Sequence, residues 1–305
     1  MSWIEAILLG IVQGLTEFLP VSSSGHLAIG KALFGIETAD LSFEVIVHAA
    51  TVLATIVVFW KDILALLQGL FKFKFNAETR YICLILLSMI PVFIVGMFFK
   101  DQVESIFGSG LLVVGFALLV TAFLLFLSET LEVRRAVQIP GQAGNDGRAA
   151  GNDGNVAGND GRAAGNDGNA AGNDGSPKGG QKVTWKSALW MGLAQAVAVI
   201  PGLSRSGSTI ATGLICGVKK EEVTRFSFLM VLIPILGEAF LDVVGGDFVQ
   251  SSVGVLPLIL GFLAAFVSGL FACRVMIAMV KKARLRWFAL YCAIVGLVCI
   301  VSHLF

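Results

Sequence analysis

The chain has 305 residues, of which 56% are hydrophobic and only 14% charged, with a mean hydropathy of +0.84 and a net charge of +1. Soluble globular domains run near about 45–50% apolar and about 25% charged, so this chain cannot cover itself with a polar surface. That excludes a soluble fold, and the near-neutral charge argues against nucleic acid as a partner. An integral membrane protein remains.

The first apolar stretch, Trp3–Leu19, breaks at Pro20-Val-Ser-Ser-Ser-Gly-His26 and resumes as a short helical piece to Phe34. Glu5, Gln13 and Glu17 interrupt it, and it has no basic start, so it does not read as a cleavable signal peptide. Three stretches long enough to cross a bilayer follow: Leu41–Trp60, Tyr81–Phe99 and Gly110–Leu131. From Ala143 to Gly175 a seven-residue unit, AGNDG followed by two variable residues, repeats four times and a fraction. It has no apolar seam to bury, so it is expected to be a disordered loop.

Beyond the loop the pattern returns. Trp185–Ile200 breaks at Pro201-Gly-Leu-Ser-Arg-Ser-Gly-Ser-Thr209 and resumes to Gly217, and three more spans follow at Val223–Val244, Val253–Val275 and Trp287–Leu304. The five cysteines form no CxxC pair and read as small apolar helix residues.

Each broken stretch is too short on either side to span alone. Interrupted backbone survives at membrane depth only where protein or a water-filled cavity satisfies it, so both read as re-entrant helix–loop–helix hairpins. The hairpins match each other. Trp3, Ala6, Gly10, Gln13, Ser22, Ser24 and Gly25 align with Trp185, Ala188, Gly192, Gln195, Ser204, Ser206 and Gly207, all 182 residues later. A hairpin plus three spans crosses an odd number of times, so its copy must insert upside down. The expected fold is all-α, six transmembrane helices plus two re-entrant hairpins in an inverted repeat. Residues 1–140 form the first repeat, 141–182 a low-complexity loop and 183–305 the second repeat. Eighteen of the 22 Lys and Arg fall in segments 61–80, 132–186, 218–225 and 280–287, against Lys31 and Lys100 in the remaining loops. That places the repeat loop in the cytoplasm and both termini outside.

Ionisable groups inside apolar helices cost about 2.5–3.5 kcal/mol at the bilayer centre on insertion scales, so each is a functional candidate. Gln13 and Glu17 share a helix face that runs toward the Pro20 break. Ser22, Ser23, Ser24 and His26 follow within nine residues, which suits a nucleophile and its base. A plainer reading makes Ser22 or Ser23 a helix cap. In the second turn, Arg205 stands among Ser204, Ser206, Gly207 and Thr209 at a helix start, an arrangement suited to a phosphate or diphosphate. Its plainer alternative is a salt bridge from Arg205 to Glu17, which would still bring the two turns together. Glu44 and His48, four apart on the first span, read as supporting or cavity-lining groups. Glu238 and Asp242 read as interfacial.

The segments Gln13-Gly-Leu-Thr-Glu-Phe-Leu-Pro-Val-Ser-Ser-Ser-Gly-His26 and Pro201-Gly-Leu-Ser-Arg-Ser-Gly-Ser-Thr209 resemble the two signature motifs of the undecaprenyl-diphosphate phosphatase family of bacitracin-resistance proteins. The likeness covers the chain apart from the repeat loop. It implies a hydrolase of the bacterial plasma membrane that converts undecaprenyl diphosphate to undecaprenyl phosphate and phosphate, recycling the cell-wall lipid carrier. It assigns the family's acidic pair to Gln13 and Glu17, the nucleophile to Ser23 with His26 as acid–base group or rival nucleophile, and the phosphate clamp to Arg205. Ser22, Ser204, Ser206, Gly207 and Thr209 complete the expected phosphate site. A divalent cation, Mg²⁺ or Ca²⁺, is implied at Glu17 and Gln13, with an amide where other members carry a second carboxylate. The expected partners are the lipid substrate and the bilayer, with room left for a homodimer. A lipid-phosphate carrier using the same anion site is the alternative function, since inverted repeats with re-entrant hairpins also build carriers.

Overall fold

The computed structural model describes residues 1–36, 42–99, 102, 110–137, 182–245, 253–280 and 285–304. The repeat loop Ala143–Gly175 and Leu41 lie outside the described residues, as do the side chains of Glu238 and Asp242. Every element among the described residues is a helix. In chain order these are α1 (Trp3–Phe18), α2 (Ser23–Leu33), α3 (Ser42–Val58), α4 (Trp60–Leu70), α5 (Ala77–Phe98) and α6 (Gly110–Val137). After the loop come α7 (Trp185–Val197), α8 (Arg205–Ile215), α9 (Lys220–Gly245), α10 (Val255–Val280) and α11 (Arg286–Leu304).

Four of these, α5, α6, α10 and α11, contain stretches long and apolar enough to cross a bilayer. The expected span Leu41–Trp60 corresponds to α3, and the segment after it, expected as a loop, begins with a further helix, α4. Phe43–Val58 and Trp60–Leu70 meet at 73° and together supply a fifth candidate. The direction in which the chain leaves the end of α3 is thus one that hydropathy alone does not contain. Helix α9 is 26 residues long, and its first turn carries Lys220, Glu221 and Glu222.

The molecule is dressed for lipid rather than water. On α5 the residues Leu86, Ile90, Phe93 and Met97 form an exposed stripe at helical spacing, and Leu290, Ile294, Leu297 and Val301 do the same on α11. Inside, Gln13, Ser88, Thr121, Ser128 and Ser227 are fully buried. Hydrocarbon offers no hydrogen bonds, so polar groups turn inward and apolar ones outward. The chain is a multi-pass membrane protein.

Helix pairs α1–α2 and α7–α8 are the two broken stretches, with 16, 11, 13 and 11 residues respectively, each half too short to span. Their starts are fixed by matching chemistry. Ser2 and Glu5 form a capping box on α1, and Thr184 and Ser187 form one on α7. Ser22 caps α2 by accepting from the Gly25 amide, and Ser204 caps α8 by accepting from the Gly207 amide. The far end of α8 is held from α6: both terminal guanidinium nitrogens of Arg135 donate to the Leu214 and Ile215 carbonyls, at 2.7 and 2.5 Å. That places a cation at the carbonyl end of α8, where the helix dipole favours it.

Helix α1 packs on α10, and α7 packs on α5. Glycines allow both approaches. A Cβ on Gly10 would lie 2.4 Å from the Gly261 carbonyl oxygen, and one on Gly192 would lie 2.3 Å from that of Ser88. Helices α6 and α11 cross at Gly115 and Gly296, where a Cβ on either would lie 2.8 Å from the other's carbonyl oxygen. Gly192→Ala should therefore destabilise the protein by about 1–3 kcal/mol through overpacking against backbone. Gly96→Ala, whose Cβ would meet nothing within 4 Å, should be neutral or slightly stabilising. Thermal unfolding of the two variants in detergent compares them, and equal melting points would refute the close-approach argument.

Candidate active site

The tips of the two hairpins meet. The Gly202 amide points at the Ser24 hydroxyl at 3.4 Å, and the Ser206 hydroxyl donates to the Leu19 carbonyl at 3.2 Å. Gly202 has φ +87°, and a Cβ there would lie 2.7 Å from Val114 Cα, so only glycine fits this turn against α6. Ser204 is held from the same helix, its amide donating to Thr121 Oγ1 at 3.1 Å.

Ser22 is the strained residue of the first turn, with φ +70°. A left-handed serine costs of the order of 1–3 kcal/mol and persists only where its surroundings over-determine it. Here its hydroxyl accepts the Gly25 amide, while its carbonyl accepts both the backbone amide and Nδ1 of His26, the latter at 2.7 Å. The strain turns one carbonyl onto one imidazole.

Glu17, at the end of α1, is the hub. Its Oε2 accepts from Gln13 Nε2 at 2.9 Å and from Ser23 Oγ at 2.5 Å, and lies 3.7 Å from His48 Nε2. Its Oε1 lies 3.5 Å from Arg205 Nη2. The salt bridge weighed from the sequence is thus present, and it joins the two hairpins. Ser23 and Arg205 are each the first residue of a half-helix, α2 and α8. Two helix N-termini therefore converge on one carboxylate, a field that favours an anion between them.

A narrow cavity of about 30 Å³ opens beside this cluster. Glu17, Arg205 and Ser206 line its polar end, and Phe18, Val52, Phe228, Val231, Leu232 and Ile235 its apolar walls. Phe228 stacks edge-on against Phe18 at 5.8 Å and Phe59 at 6.0 Å, fixing the wall between α3 and α9. A space of that size holds water.

Not every expected residue joins the hub. His26 faces away from Glu17, with Nε2 2.7 Å from the Tyr291 hydroxyl on α11. The histidine beside Glu17 is His48, read from the sequence as a supporting group. Glu44 accepts from Lys31 Nζ at 2.5 Å, tying α3 to α2, and its carbonyl receives His48 Nδ1 at 2.8 Å. Thr209 is fully buried, its hydroxyl shared among the Arg205 and Ser206 carbonyls and Ser227 Oγ. It braces the first turn of α8 from beneath. The Gly207 amide is taken by Ser204 Oγ at 3.0 Å. Thr121, Ser227 and Tyr291 were not singled out from the sequence. Thr121 and Ser227 are hydroxyls inside apolar helices, a weak signal, and Tyr291 is one of only two tyrosines in the chain.

The model of the bacitracin resistance protein BacA family matches residues 6–298. The chain belongs to this family. Among its relatives, a protein of Parabacteroides distasonis is 52% identical over 308 residues, covering 100% of this chain and 99% of its own. One of Bacteroides fragilis is 50% identical over 305 residues, covering 99% and 98%. One of Christiangramia forsetii is 42% identical over 304 residues, covering 99% and 98%. All three carry the name undecaprenyl-diphosphatase. The BacA match spans both hairpins, so the convergence at Glu17 lies wholly within the family's own extent.

A cation can be tested against the residues present. Among the described residues, no group of three or more His, Cys, Asp or Glu side chains is placed to hold a metal. Gln13 Oε1, however, is buried without a hydrogen-bond partner next to Glu17. An amide oxygen plus one carboxylate fits an ion such as Mg²⁺, which commonly takes few protein ligands and completes its shell with water and phosphate oxygens. In a BacA protein of this composition, Gln13 and Glu17 are the groups that would hold it.

Proposed function

We propose that this chain is an undecaprenyl-diphosphatase, hydrolysing undecaprenyl diphosphate to undecaprenyl phosphate and phosphate. This regenerates the cell-wall lipid carrier and accounts for bacitracin resistance. One observation carries the chemistry: Ser23 Oγ donates to Glu17 at 2.5 Å while Arg205 reaches the same carboxylate at 3.5 Å. Nucleophile, base and phosphate clamp then stand at one point where two half-helices begin.

Arg205 turns from Glu17 to the incoming diphosphate, and the starts of α2 and α8 add their positive ends. Glu17, released from the ion pair, takes the Ser23 proton as Ser23 Oγ attacks the terminal phosphorus. The bond from that phosphorus to the bridging oxygen breaks, and undecaprenyl phosphate leaves with the electron pair. Glu17 passes the Ser23 proton to the departing undecaprenyl phosphate. Water then attacks the phosphoserine and gives its proton to the freed Glu17 carboxylate, which returns it to Ser23 Oγ as the serine–phosphorus bond breaks and phosphate departs. His48, 3.7 Å from Glu17, steadies the carboxylate. A divalent cation held by Gln13 and Glu17 would neutralise charge on the phosphate oxygens. The prenyl tail runs along Phe18, Val52, Phe228, Val231, Leu232 and Ile235.

The architecture we infer has six membrane crossings, α3–α4, α5, α6, α9, α10 and α11, with α1–α2 and α7–α8 as re-entrant hairpins. Residues 1–140 and 183–305 are the two inverted repeats, joined by 141–182. Paired packing of α1 on α10 and α7 on α5, and the mutual approach of Gly115 and Gly296, support it. Both termini face outward and the loop faces the cytoplasm of the plasma membrane, as the Lys and Arg distribution indicates.

Substrate labelled on its terminal phosphorus, acid-quenched during turnover and mapped by peptide, should leave the label on Ser23. Label on a histidine instead would overturn the Ser23 mechanism.

A further inference from the structure

The hydrogen bonds at His26 are more specific than the proposed mechanism requires. Its Nδ1 lies 2.7 Å from the Ser22 carbonyl oxygen, an atom that can only accept, so Nδ1 carries the proton. In the neutral ring Nε2 is then a lone pair, and it lies 2.7 Å from the Tyr291 hydroxyl, which must donate. The two rings are stacked within 7° of parallel, their centres 5.6 Å apart. The partner comes from 265 residues away, on the last helix. The next residue, Cys292, donates its thiol to the Pro20 carbonyl at 3.6 Å, so α11 grips the catalytic turn at two adjacent positions. Helix α11 otherwise presents mostly apolar side chains to lipid.

We propose that Tyr291 is a positioning residue that acts through His26. Its hydroxyl completes the set of bonds that fixes the imidazole's tautomer and plane, leaving Nε2 the only basic atom of the ring. Tyr291 is 44% exposed. The phenol can therefore swing off Nε2 when substrate arrives, delivering His26 with its lone pair already aimed. The same contact keeps a bare imidazole from facing lipid in the empty enzyme. This rests on the proposed phosphatase function and on the acid–base role that the family resemblance implies for His26, a role the Glu17–Ser23 step leaves open.

The test compares Tyr291→Phe, Tyr291→Leu and His26→Gln in the full-length protein. Tyr291→Phe keeps the ring and loses only the hydroxyl, and should lower kcat about tenfold while KM stays within twofold. Tyr291→Leu should lose little more, because the hydroxyl rather than the ring is what acts. With ¹⁵N-histidine labelling, the Nε2 signal absent from His26→Gln should move in Tyr291→Phe as its hydrogen-bond donor is lost, while the His48 signals stay in place. Unchanged kcat and an unmoved Nε2 signal in Tyr291→Phe, with His26→Gln inactive, would overturn the Tyr291 role alone. Equal losses in kcat and in substrate affinity, or a much larger loss in Tyr291→Leu, would mark Tyr291 as packing and also overturn it. Full activity of His26→Gln would instead remove the acid–base reading of His26, and this inference with it.

Discussion

Arg205→Ala is expected to slow phosphate release from undecaprenyl diphosphate by about 10³–10⁵, the range measured where an arginine stabilises transferring phosphoryl charge. The reason is positional. Arg205 is the first residue of α8, its side chain reaches across to α1, and the apolar side chains of Phe18, Val52 and Phe228 line the same cavity. In such a setting one fixed charge is worth far more than in solution. Arg205→Lys should recover little, since an ammonium cannot present two parallel donors to one phosphate. Release assayed in detergent with purified protein checks this, and an Arg205→Ala rate within tenfold of the parent would remove the phosphate clamp from the mechanism.

The second large effect is at Glu17. Glu17→Gln keeps the shape but removes the base, and should cost about 10²–10⁴ in kcat. It should also lower stability, because Arg205 would face a neutral amide. Breaking a fully buried ion pair costs about 3–5 kcal/mol. With side-chain exposures of 10% and 25% for Glu17 and Arg205, a smaller loss is expected here. The Glu17→Ala/Arg205→Ala double variant separates the two effects. It should regain much of the melting temperature lost by Glu17→Ala, since no charge is left unpaired, yet remain inactive. A double variant as unstable as the sum of its single changes would show that the pair is not coupled.

Much of the site could be read from residue order, and the rest had physical reasons to be hidden. The two turns announced themselves because polar residues and prolines at membrane depth are costly, and their 182-residue correspondence exposed the paired hairpins. A cap at Ser22 or Ser23 and a link between Arg205 and Glu17 were both weighed from residue type, whereas the matching cap at Ser204 was not. What spacing could not resolve was direction. Ser23 and His26 are three apart, hence about 300° around a helix, which leaves them some 60° out of line. That angle suffices to send Ser23 to Glu17 on α1 and His26 to Tyr291 on α11. The bend after Val58 carries no proline or glycine at the break, and the span read from hydropathy stopped at Trp60, so α4 was not read as a helix. Likewise His48 reaches Glu17 only because α3 packs beside α1, a tertiary fact with no local signature.

The matched turns also differ where it counts. At the 182-residue spacing Glu17 stands opposite Val199, Ser23 opposite Arg205 and His26 opposite Ser208, while Gln13 and Gln195 remain alike. Two identical turns meeting at one axis would set carboxylate against carboxylate, or guanidinium against guanidinium, and the site would repel itself. Joining both turns in a single chain lifts that symmetry constraint. One turn can specialise as acid and nucleophile, the other as cation, and the ion pair between them becomes the seam that registers the two halves of the enzyme.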